Sequence, residues 1–182
     1  MGIRLIKIEE ADLYQIMEWR MKPEVTNNMY TDPKLNMNLQ KKWLQSIKKD
    51  NTVRYWMIEI DKEKIGVINL CDIDFKNQRC YWAYYIGNTS FRGRGIATAL
   101  ECNIYDYVFQ TMELNKLCCE VFAFNEKVIS IHKKFGSEVE GTLKQHIYKN
   151  GEFYDIVCMG ITKEKWSKIK NTYDYEKIEI ES

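Results

Sequence analysis

The chain has 182 residues, 45% of them apolar and 29% charged, which suits a single folded domain with a sizeable core. Lys and Arg number 27 against 26 Asp and Glu, a formal net charge of +1, which excludes a nucleic-acid or anionic-membrane partner held by bulk charge. Nothing near the N-terminus has the order of a signal peptide and no apolar run is long enough to cross a bilayer, so a soluble, cytoplasmic protein is expected.

Ile3 to Ile8 alternates as a half-buried strand does. Leu13, Ile16, Met17 and Arg20 then recur at helical spacing until Pro23. The polar stretch from Glu24 to Met37 predicts a loop over a cleft, and Asn38 to Lys49 a second helix with Leu39, Trp43, Leu44 and Ile47 on one face. Val53 to Ile60, Ile65 to Ile73 and the aromatic run Gln78 to Ile86 predict three strands. Gly95 to Thr111 reads as a helix, Leu117 to Phe124 as a strand, and Asn125 as the cap of a short helix ending at Gly136. Asn150-Gly151 predicts a hairpin turn between Val139 to Tyr148 and Glu152 to Thr162. From these come one α/β (α+β) domain over residues 1–166 and a charged C-terminal tail or surface helix over 167–182. The six cysteines have no metal or redox spacing, so buried free thiols and no metal site are expected.

Chemistry concentrates in the stretch from Tyr85 to Ala97. Glycines there let backbone N–H groups approach an anion, the following helix offers its positive end, and Arg92 and Arg94 add charge. A plain chain reversal competes with that reading. No third glycine completes a dinucleotide fingerprint, and no Gly-Lys-Ser/Thr completes a Walker A loop.

Arg92-x-x-Gly95-x-Ala97 resembles the Gln/Arg-x-x-Gly-x-Gly/Ala signature of the GCN5-related N-acetyltransferases, and the block Asn125 to Gly136 is similar to that superfamily's second cofactor-side motif. The resemblance runs from Ile3 to about Trp166. It implies a twisted, mixed but mostly antiparallel sheet of about seven strands, with helices on both faces and strands splayed at an acetyl-CoA site. It further implies that backbone groups of Ile86 and Gly87 bind pantetheine, that Gly93, Arg94, Gly95, Ile96 and Ala97 with Arg92 bind the pyrophosphate, that Asn125 touches the pantetheine arm, and that Lys133 reaches a phosphate. Members often carry a tyrosine as general acid where this chain has His132. Helix spacing turns His132 inward with Val128, Ile131 and Phe135, so it is either that acid or a core histidine. As the acid, His132→Ala would lower kcat far more than acetyl-CoA affinity. Asp72, Asp74 and Glu120 are candidate bases, and none is assigned.

Arg54 to Glu59, Gln145 to Asp155, Glu18 to Arg20 and Met29 to Asp32 resemble the pseudaminic acid branch, which acetylates the 4-amino group of UDP-4-amino-4,6-dideoxy-N-acetyl-β-L-altrosamine, a precursor for flagellin glycosylation. That implies a UDP-amino sugar as acceptor. Its uracil would want an aromatic platform such as Tyr30, Trp43, Tyr55 or Tyr148, and its diphosphate a cation such as Arg20, Lys149 or Arg54. A core role competes for each. Ser137, where relatives tend to carry an aromatic, is expected to affect packing. Other acceptors are a protein N-terminal amine or a polyamine. A reading of another class is a non-catalytic acyl-CoA sensor. A homodimer through the C-terminal strands is a further expectation.

Overall fold

The computed structural model describes residues 2–181. Eight strands follow the order β6-β7-β5-β4-β3-β2-β1-β8, one more than the seven expected. The chain divides into two compact units: residues up to Ile73, Trp82–Arg94 and those from Ile178 onward form one, and Asp74–Tyr81 with Gly95–Lys177 the other.

In the first unit β1 (Ile3–Lys7) pairs antiparallel with β2 (Arg54–Ile60), which turns through Asp61 and Lys62 into β3 (Glu63–Asp74). Both turn residues have positive φ, 49° and 72°, as a tight hairpin needs, although neither is the glycine or asparagine that advertises such a turn. Helix α1 (Leu13–Met21) stops before Pro23, which opens the single turn α2 (Pro23–Thr26) from its first position, where a missing N–H costs nothing. Helix α3 (Met37–Lys49) is capped by Asn36, whose Oδ1 accepts from the Leu39 N–H at 3.0 Å. Leu13, Ile16 and Trp19 of α1, Leu44 of α3, Met57 of β2 and Val67 of β3 bury together.

One glycine is fixed by a close approach. A Cβ on Gly66 would lie 2.1 Å from the Tyr85 carbonyl oxygen of β4 (Arg79–Ile86). Because that neighbour is backbone, Gly66→Ala is expected to cost about 2–3 kcal/mol, read as a lower denaturant midpoint at unchanged slope.

The second unit holds the first residues of β4, which run parallel to β5 (Lys116–Phe122) over Arg79–Tyr81. Its long hairpin of β6 (Glu138–Lys149) and β7 (Glu152–Thr162) turns on Asn150 and Gly151, both with positive φ as foreseen. Helix α4 (Ile96–Asp106) continues into a π-helical turn at Tyr107–Thr111. Helices α5 (Glu126–Lys134) and α6 (Lys163–Ile169) complete the unit.

Residues 167–181 make specific contacts within each unit. In the second unit Tyr173 stacks on buried Trp166 at 5.7 Å, and Tyr175 donates to Asp106 at 2.5 Å. In the first, β8 (Glu179–Ile180) runs parallel to β1, and Arg4 pairs with Glu179 at 2.8 Å. Of the segment's charged residues, Lys168, Lys177, Glu179 and Glu181 are partners in ion pairs. All six cysteines are free thiols, four of them buried.

Candidate active site

The turn between β4 and α4 is held from below. The N–H groups of Gly87 and Asn88 both donate to the Ile65 carbonyl, at 2.8 and 2.9 Å. Asn88 caps the 3-10 turn Thr89–Phe91 through its side chain and donates to Glu63 at 2.8 Å. The Arg92 guanidinium donates to the carbonyls of Glu24 and Ile86, each at 3.0 Å. It staples the turn to the end of β4, and the Ile86 carbonyl and Gly87 N–H are engaged within the chain. Arg94 lies over the Phe91 ring at 4.6 Å and supplies the turn's other cation.

Gly93 and Gly95 adopt φ of 81° and 77°, and a Cβ at either would meet nothing within 4 Å. Gly95 is the left-handed N-cap of α4. Thr98 is the first residue beyond the turn to donate, to the Gly95 carbonyl at 3.2 Å; the N–H groups of Gly93 to Ala97 face no carbonyl partner among the described residues. Successive free N–H groups at a helix start make a concave anion site.

Asn125 caps α5, its Oδ1 accepting from the Val128 N–H at 3.4 Å, and Lys133 is exposed. His132 does turn inward and is buried at 5% exposure, but what it meets is a carboxylate: its Nδ1 lies 2.7 Å from Oε1 of fully buried Glu101. Tyr105 donates to the other Glu101 oxygen at 2.6 Å and lies 3.0 Å from the Ser137 hydroxyl. Burial alone would lower the imidazole pKa; hydrogen bonds with Cys119 and Glu101 outweigh it and raise it to about 10. Ser137 thus has a polar partner in Tyr105.

A pocket of about 330 Å³ lies within the first unit, lined by Arg20 of α1, Gln40 and Trp43 of α3, Tyr55 of β2, Asn69 of β3 and Tyr85 of β4, with Met29, Pro33 and Leu35 from the loop expected to cover a cleft. Trp43 and Tyr55 meet edge to face at 5.3 Å. Three lining atoms are buried without a hydrogen-bond partner: Arg20 Nη1, Gln40 Oε1 and Tyr85 Oη. Burial pushes the Tyr85 phenol well above its usual range, against the pull of Arg20. No aspartate or glutamate lines the pocket.

Of the substrate residues expected from sequence, Arg20, Trp43 and Tyr55 line this pocket. Tyr30 is exposed and is not among the lining residues. Tyr148 is exposed on the β6–β7 hairpin, 4.9 Å from Phe153. Arg54 donates to the Asn51 and Val53 carbonyls, and Lys149 is buried at the end of β6. Among the candidate bases, Asp72 and Glu120 are exposed, and the Asn77 N–H groups hold the Asp74 carboxyl below its usual range. Gln40 and Glu101 were not singled out from sequence, and Tyr85 only as the start of the stretch that ends at Ala97. The available signal was a polar residue on an apolar helix face: Gln40 shares one with Trp43, Leu44 and Ile47, and Glu101 with Ile104, Tyr105 and Val108.

A family model for the acetyltransferase (GNAT) domain matches residues 3–138. The chain belongs to the GNAT acetyltransferases. The SPbeta prophage-derived uncharacterized N-acetyltransferase YokL of Bacillus subtilis is 28% identical over 130 residues, 71% of this chain and 72% of that one. The spermidine N(1)-acetyltransferase of Escherichia coli K12 is 32% identical over 117 residues, 64% of this chain and 62% of that one, so the match spans less than two thirds of it. The fold superposes on the spermidine N-acetyltransferase of Vibrio cholerae, solved with CoA and spermine, at a TM-score of 0.86 and 23% identity, covering 91% of this chain and 98% of that one.

GNAT membership makes the chain an acyltransferase with acetyl-CoA as co-substrate. No group of His, Cys, Asp or Glu among the described residues is placed to hold a metal ion, and no helix is long and apolar enough to cross a membrane. None of these three relatives acts by name on a nucleotide sugar, and spermidine stands where the pseudaminic acid resemblance pointed. Two of the four runs that carried that resemblance, Arg54 to Glu59 and Gln145 to Asp155, lie in β2 and the β6–β7 hairpin, where aromatic and basic alternation follows from strand position as much as from substrate.

Proposed function

We propose that the chain moves the acetyl group of acetyl-CoA to a primary amine within a ternary complex. The row of unengaged N–H groups from Gly93 to Ala97 carries this reading, because a pyrophosphate supplies the acceptors it lacks. With CoA seated there, the neutral amine attacks the thioester carbonyl, the C–N bond forms, the C–S bond breaks, and one proton passes from the nitrogen toward the departing thiolate. Rate comes from positioning and from backbone donors at the carbonyl oxygen. His132 serves this scheme as the ion-paired support of α5. Its Nδ1 is committed to Glu101, so acid catalysis would have to run through Nε2.

Two acceptors have support. The relatives' names favour a polyamine such as spermidine. The pocket's one cation, Arg20, and its lack of carboxylates favour an acceptor bearing neutral or anionic groups, of which UDP-4-amino-4,6-dideoxy-N-acetyl-β-L-altrosamine is one. Release of CoA from acetyl-CoA, measured with each amine in turn, tests both. Turnover with spermidine alone removes the sugar, turnover with the sugar alone removes the polyamine, and CoA binding without turnover on any amine leaves only a sensor.

A further inference from the structure

The pocket of the first unit is furnished for an uncharged guest. Its half-buried and exposed wall is apolar and aromatic: Leu39 and Trp43 from α3, Tyr55 from β2, Ala83 and Tyr84 from β4. Leu39 keeps 45% of its surface exposed, so this wall is open to a ligand. The titratable lining groups are Arg20 of α1 and the phenols of Tyr55, Tyr84 and Tyr85; the covering loop, α3 and β3 contribute none. Burial pushes the Tyr55 and Tyr85 phenols up, so neither supplies an anion near neutral pH. Asp72 and Asp50 act on Tyr55 from outside the lining, each more weakly than Arg20 does. An ammonium entering this space loses water, meets Arg20 as a like charge, and finds no carboxylate among the described lining residues. The same amine without its proton meets neither penalty. A volume of about 330 Å³ holds a body on the order of ten non-hydrogen atoms.

We propose that this pocket selects an acceptor whose primary amine enters unprotonated on an uncharged apolar body, the arylalkylamine class rather than a polyamine or a nucleotide sugar. The inference rests on the proposed transferase reading and narrows its acceptor. Arg20 is then a specificity residue, which disfavours the protonated amine without touching the transferred acetyl group. The ammonium proton is left in solvent before entry, so the amine arrives ready to attack and no lining carboxylate has to collect that proton.

Isothermal titration calorimetry with 2-phenylethylamine at pH 7, 8 and 9 tests this. The control is 2-phenylethanol, which carries no charge at any pH, and CoA binding is measured on the same samples. The amine is expected to bind about tenfold more tightly for each unit of pH, because only its neutral fraction enters. The alcohol is expected to bind equally at all three values, and spermidine to displace neither. Asn69→Asp adds a carboxylate in the shape of the amide, beside Tyr55 in the register of β2 and β3. Arg20→Met removes the cation and keeps an apolar stem. Each is expected to flatten the amine's pH dependence to about threefold per unit or less, with CoA affinity unchanged. A merely structural role would move amine and alcohol alike. Absence of binding by both phenyl probes, amine binding indifferent to pH, displacement by spermidine, or a wild-type pH dependence in both variants would each overturn the proposal. Acetylation of spermidine with no binding of either phenyl probe would overturn it and leave the transferase reading intact. Binding of both probes with the expected pH dependence, in a protein that acetylates no amine, would uphold the pocket's preference and remove the transferase reading.

Discussion

His132→Ala is expected to lower the melting temperature by roughly 10 °C. The ring fills space in the core, and its loss also leaves the Glu101 carboxylate, fully buried and 2.7 Å from Nδ1, without its counter-charge. Breaking a buried pair from one side costs about 3–5 kcal/mol. The pH dependence has a definite sign. The folded pKa is raised from 6.5 to about 10, so the native state holds a proton that the unfolded chain releases. This contribution is fully present below pH 6.5 and is lost as pH rises through 10. Thermal melts across that window should show a decline in the wild type that is absent in His132→Ala. Single-turnover kinetics on the folded variant separate support from catalysis. A kcat reduced by about a hundredfold or more with an unchanged melting temperature would restore the general acid.

Gly95→Val is expected to raise the KM for acetyl-CoA by about 10- to 100-fold with a smaller change in stability. The φ of 77° at this N-cap is costly for any residue with a Cβ and most so for a β-branched one. A shift toward negative φ would turn the N–H groups of Gly95 and Ile96 away from a common centre. Gly151→Val is the control for strain alone. Its φ is 84°, its surroundings are equally open, and it belongs to the β6–β7 turn and not to the N–H row. Gly151→Val should destabilise without moving KM. Equal KM shifts in both variants would remove the N–H row from CoA binding.

These two effects differ in how far the sequence foretells them. The turn at Gly93 and Gly95 is local, since glycine spacing and the helix after it are read within a few residues, and the β6–β7 hairpin is equally plain from Asn150-Gly151. The pairing of Glu101 with His132 joins two helices far apart in the chain, and neither helix face announces the other. Arg20 can be singled out as a cation, but its place in a pocket depends on α3 and β4 arriving beside it. The β2–β3 turn is legible at Asp61 to Lys64, but its left-handed pair, Asp61 and Lys62, is fixed by the strands on either side. The two-residue strand β8 has no periodicity to read, and its pairing comes from what β1 offers.

That last pairing bears on how the protein is made. Arg4 and Glu179, hydrogen-bonded at 2.8 Å, are 175 residues apart in the chain, and the Trp56 indole donates at 2.7 Å to the carbonyl of Glu181. Until residues 179–181 have been made, β1 and β2 stand without them: the outer edge of β1 stays open and the Trp56 indole lacks its carbonyl. The first-formed part of the sheet therefore closes by a late, long-range step that exposes a strand edge during synthesis.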